Sequence, residues 1–109
     1  MILDKMAQVS LQTKLSGMRR EHFNLWLSAK PDDEIVGRCQ DPRSCVVSNY
    51  IHETILEKYE QHPGVTGSIV QIGEEYYTLP GWCDRVVREF DSMGRGSVTA
   101  TEARKIFFA

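Results

Sequence analysis

Apolar positions along the chain change period several times, and each change marks an element. Ile2, Met6 and Val9, followed by Leu11 and Leu15, give a loose helical pattern over residues 1–15. That segment reads as a peripheral helix or a frayed terminus. Over residues 17–29, Met18, Phe23, Trp26 and Leu27 fall on one side, and Arg19, Arg20, Glu21 and Asn24 on the other. Ser16 is an acceptable N-cap there, and Pro31 stops the helix by forcing Lys30 away from helical geometry. Ile35 and Val36 suggest a short strand over 34–38, weakened by Gly37. Asp41-Pro42 is a helix-start signal, and the stripe of Val47, Ile51 and Ile55 carries the expected helix to about Tyr59.

The clearest local pattern covers residues 66–79. Gly73-Glu74 suits a two-residue hairpin loop with glycine at the first central position. That register pairs Ile72 with Glu75, Val70 with Tyr77 and Ser68 with Leu79. Val70, Ile72, Tyr77 and Leu79 then share the core face, while Ile69, Gln71, Tyr76 and Thr78 share the other. Such a hairpin is marginal in water alone, so its apolar face is expected on the helices at 42–59 and 81–93. Trp82, Val86, Phe90 and Met93 define the helix at 81–93, with Gly94 as its cap. Thr99-Ala100-Thr101-Glu102 reads as a capping box opening a last helix with Ala103, Ile106 and Phe107 on its apolar side. The predicted class is α+β: about four helices packed on a two-stranded antiparallel hairpin, with one further short strand. The expectation is a single domain over residues 1–109.

Bulk properties narrow the functions. At 109 residues the chain has room for one core. An apolar share of 41% and a charged share of 26% are ordinary for a folded domain. A formal charge of −2 with mixed signs gives no basic field, so no nucleic-acid partner is expected. No apolar run approaches the roughly 18 residues of a membrane span. The start, Met1-Ile2-Leu3-Asp4-Lys5, predicts no signal peptide. Three irregularly spaced cysteines argue against a disulfide framework and for a reducing, cytoplasmic setting.

Candidate chemistry is sparse. In Phe90-Asp91-Ser92-Met93-Gly94-Arg95-Gly96-Ser97-Val98-Thr99-Ala100-Thr101-Glu102, Asp91, Gly96, Val98 and Glu102 stand at the first, sixth, eighth and twelfth positions of a calcium loop. Residues 80–109 thereby resemble an EF-hand helix–loop–helix. The resemblance implies Asp91, a carbonyl at Ser97 and Glu102 as calcium ligands. Met93 and Arg95, however, replace the oxygen donors of the third and fifth positions. Read without metal, the same residues supply the Gly94 cap, a turn at Gly96 and the Thr99–Glu102 box. This second reading predicts that the loop binds no calcium.

Cys45, in the first turn of the helix expected at 42–59, is a candidate reactive thiol, because helix N-terminal amides favour a thiolate. Arg38 and Arg43 lie near it in sequence, and Cys39 offers a resolving partner. A zinc site would need Cys39, Cys45 and Cys83 with His22, His52 or His62, a set lacking any tight ligand pair. No cofactor is expected. Ile69 and Tyr76, opposite the core face of the hairpin, mark a contact surface. The leading expectation is therefore a non-enzymatic protein-interaction domain that uses this face and the first helix, with a homodimer as the expected assembly. The alternatives are a thiol-dependent enzyme or redox-sensitive protein centred on Cys45, and a degenerate calcium-responsive regulator.

Overall fold

The structure, a computed structural model, describes residues 5–56, 61–94 and 96–108. The described elements run α1 (Lys5–Ser16), α2 (Arg20–Ser28), β1 (Ile35–Cys39), α3 (Val46–Thr54), β2 (Gly64–Thr66), β3 (Ile69–Ile72), β4 (Glu75–Thr78), α4 (Gly81–Asp91), β5 (Gly96–Thr99) and α5 (Ala100–Phe107). The class is mixed helix and strand, with five helices and two small antiparallel sheets among the described residues.

The packing differs from four helices on a two-stranded hairpin. The hairpin forms in the expected register, Ile72 opposite Glu75 and Val70 opposite Tyr77. Ser68 accepts from the Leu79 amide at 2.7 Å. A third strand, β2, joins it through Val65 opposite Val70. Both connections are two-residue loops with glycine first, and Gly67 and Gly73 have φ of 62° and 63°, where a side chain would be strained. β2 escapes a pattern search because it is three residues long and begins with glycine. α1 lies beside β4, and α3 reaches β2.

The second sheet pairs β1 with β5. A bulge between Ile35 and Gly37 shifts the parity of β1, so Val36 and Gly37 are both buried. A Cβ at Gly37 would lie 2.7 Å from the Val46 nitrogen and 3.0 Å from a Phe90 ring carbon, so only glycine lets β1 approach α3 and α4 this closely. In chain order β1 lies between α2 and α3, and β5 between α4 and α5. α2 packs on α5 and α3 on α4. Phe23 sits fully buried at the centre, with Trp26, Tyr50, Trp82 and Phe107 rings 5.3–6.0 Å away. Arg104 of α5 locks this arrangement. It donates to the carbonyls of Leu27, Ser28 and Lys30 at the end of α2 and pairs with Asp32 at 2.6 Å.

Helix limits also move. α2 begins after Arg19, because Ser16 belongs to the last turn of α1. The helix expected over 42–59 starts only at Val46. Asp41 instead caps a turn, its Oδ1 accepting from the Arg43 amide at 3.2 Å, while the Arg38 amide donates to Ser44 at 2.8 Å and keeps that residue on β1. Residues 57–60 of the expected helix lie outside the described residues. α4 ends at Asp91 rather than Met93.

Candidate interaction surface

The alternation of the three-stranded sheet sorts its side chains cleanly. Val65, Val70 and Tyr77 face the core and are buried. The opposite face carries two cross-strand rows, Gly64, Gln71 and Tyr76 in one, and Thr66, Ile69 and Thr78 in the other. None of these six residues is charged. Tyr76 is 68% exposed and Ile69 47% exposed.

α1 extends this face. The Gln12 side-chain amide lies on the edge of β4, donating to the Thr78 carbonyl and accepting from the Thr78 amide, each at 3.0 Å. Gln12 therefore marks the direction from α1 to the sheet edge. At about 100° per helical residue, Leu15 and Leu11 lie roughly 60–100° to one side of Gln12. Both are buried, so that side is the core side. Val9 and Met6 lie about 60° and 120° to the other side. They are 62% and 85% exposed, and by this helical geometry they lie on the side of α1 away from the core. The sequence reading assigns the first helix to this surface but does not single out Met6 and Val9. The missing signal is Gln12, whose pairing with β4 only the tertiary structure reveals.

The calcium-like loop has other uses for its carboxylates. Asp91 Oδ1 accepts from the Gln40 amide at 2.8 Å, joining the end of α4 to the turn after β1. The Thr99–Glu102 capping box is present: Glu102 Oε1 accepts from the Thr99 amide at 2.9 Å, and Thr99 Oγ1 accepts from the Glu102 amide at 3.2 Å. These Thr99 bonds hold the exposed Glu102 carboxyl below its ordinary range. Ser97 lies in β5 opposite Arg38 and is exposed. Arg95 is outside the described residues. No group of three or more His, Cys, Asp or Glu side chains among the described residues is arranged to hold a metal.

All three cysteines are buried free thiols. Cys45 is the N-cap of α3, and its Sγ accepts from the Ser48 amide at 3.4 Å. Burial outweighs that bond and pushes the thiol up to about 11. The helix terminus is present, as expected, but desolvation decides the protonation state, and Cys45 is a thiol at neutral pH. Cys39 donates to the Phe90 carbonyl at 3.1 Å and is pushed up by burial and then by Asp91. Burial, followed by the neighbouring Cys45, pushes Cys83 up to about 12. An open cleft of about 410 Å³ lies at the end of the β1–β5 ribbon, lined by Arg38, Cys39, Gln40, Asp41, Pro42 and Gly96. No helix among the described residues is long and apolar enough to cross a membrane.

Comparison with protein-family models, curated proteins and solved structures finds no match for this chain.

Proposed function

We propose that this chain is a non-enzymatic protein-interaction domain whose docking face is the outer side of β2–β3–β4 together with α1, and that its occupant is a second copy of the chain. The observation that carries the reading is the grouping of four exposed apolar side chains, Met6, Val9, Ile69 and Tyr76, on one side of two packed elements. Scattered exposed apolar residues need no explanation, but a shared patch across elements marks a contact site. A like face suits it because the two sheet rows carry no charge, so apposing two copies brings no like charges together there. In a two-fold dimer each copy presents the same patch. Tyr76 is the expected anchor, since a rigid aromatic buries much area at low entropic cost. A reducing, cytoplasmic setting belongs to the same proposal, because the three thiols are free and packed inside.

Concentration-dependent NMR shifts test the location. The expected result is that amides of α1 and of residues 64–78 move as protein concentration rises. Shifts confined instead to the exposed Leu25, Ile106 and Phe108 would place any contact elsewhere and remove the proposal.

A further inference from the structure

Two imidazoles from separate segments stack beside the start of β2. The His52 and His62 ring centroids are 3.9 Å apart, with planes inclined by 33°. Asn49 fixes the orientation of one of them. Its Nδ2 donates to the Val36 carbonyl at 2.9 Å and faces the Ser44 carbonyl at 3.3 Å, leaving Oδ1 to meet His62 Nε2 at 3.3 Å. Nε2 therefore carries the proton in that contact. Beside it, the buried Ser48 Oγ lies 2.6 Å from the Pro63 carbonyl and 3.0 Å from that of Arg43. The Val65 amide then donates to the Pro42 carbonyl at 2.8 Å. These contacts tie residues 62–65, where the chain enters β2, to α3 and to the turn before it.

We infer that the His52–His62 stack is a pH-sensitive clasp, which holds the entry to β2 on α3 and loosens when both rings are protonated. The inference is independent of the proposed docking face. One proton leaves a cationic ring against a neutral one, which the stack tolerates. A second sets two imidazolium rings with centroids 3.9 Å apart, with the Arg43 guanidinium also acting on His62. Burial, then His52, then Arg43 hold the His62 pKa below its ordinary value. Glu57, Lys58 and Glu60, which precede His62 in the chain, lie outside the described residues. The linkage sign follows from the depressed pKa. As pH falls, the unfolded chain takes up the His62 proton first, so the folded state is favoured in full above the ordinary imidazole range. That advantage is lost as pH falls through the folded-state value. Among the described residues β2 is a margin of its sheet and pairs with β3 alone, so a loosened clasp frees a sheet edge.

The test compares thermal melting on either side of the ordinary imidazole range for the wild type, His52→Phe and His62→Gln. Phe preserves a ring in the stack, and Gln preserves an N–H donor for Asn49. The expected result is a larger acid-induced fall in Tm for the wild type than for either variant. Proton NMR follows the His62 titration in the wild type and in His52→Phe. In His52→Phe the His62 step should move up towards the ordinary imidazole value. Equal acid sensitivity in all three proteins would overturn the clasp. So would a His62 titration that is the same with and without His52, a result readable even if His62→Gln fails to fold.

Discussion

Gln12 and Thr78, 66 residues apart in the chain, exchange two hydrogen bonds at 3.0 Å, so a glutamine side chain takes the place of a neighbouring strand on the edge of β4. The contact sets which way α1 faces. An open edge strand invites pairing with other chains, and here a side-chain amide occupies part of it. α1 is weakly amphipathic and buries only Leu11 and Leu15 among its described residues, so this pairing is a large part of what holds it. Gln12→Ala is expected to cost about 1 kcal/mol, since a net hydrogen bond contributes roughly 0.5–1.5 kcal/mol. Hydrogen exchange at the Thr78 amide should speed up in the same variant. Unchanged exchange at Thr78 would show that α1 is held by its two leucines alone.

Gly37 should be the least replaceable small residue of the β1–β5 ribbon. An added methyl would meet the backbone of Cys45 and Val46 as well as the Phe90 ring. Backbone does not yield as a flexible side chain does, so Gly37→Ala is expected to destabilise by roughly 1–3 kcal/mol. Urea denaturation gives the value. Gly81, whose Cβ would meet nothing, is the control, and its change to Ala at the start of α4 should be tolerated.

The loop at 91–102 should behave as a structural joint. Thr99→Ala should cost about 1 kcal/mol as the loss of a helix cap, whereas Glu102→Gln should leave melting nearly unchanged, because Gln can serve in the same box. The depressed Glu102 pKa gives a sign: its contribution is present above the ordinary carboxylate range and is lost as pH falls through the folded-state value. Calcium titration should give no heat and no shift in Tm. A micromolar dissociation constant that disappears in Glu102→Gln would make the loop a calcium site after all.

Sequence legibility followed the range of the interactions. The hairpin register and the capping box are local, set by alternation, a glycine turn and a four-residue motif, and both stand as read. Of the expected core face Val70, Tyr77 and Leu79 are buried, while Ile72 beside the turn is only half-buried, as is Gln71 on the other face. What the pattern could not provide is pairing across distance. β5 looks like loop because Gly96-Ser97-Val98-Thr99 becomes a strand only by pairing with β1, some sixty residues earlier. The start of α3 moved because Arg38 holds Ser44 in the ribbon, which no local signal announces. The helix-terminal position of Cys45 was legible, but its complete desolvation was not. For the surface, Ile69 and Tyr76 followed from hairpin parity and the first helix was expected beside them, while the choice of Met6 and Val9 on that helix came only through Gln12 and Thr78.

The docking face is tested most directly by sedimentation velocity across a wide concentration range. The account predicts that the wild type moves from one chain towards two as concentration rises. Tyr76→Ser should remain a single chain while keeping its circular dichroism and losing no more than about 1 kcal/mol of stability, the span of strand propensity. A wild type that stays a single chain at the highest concentration reached would contradict the account.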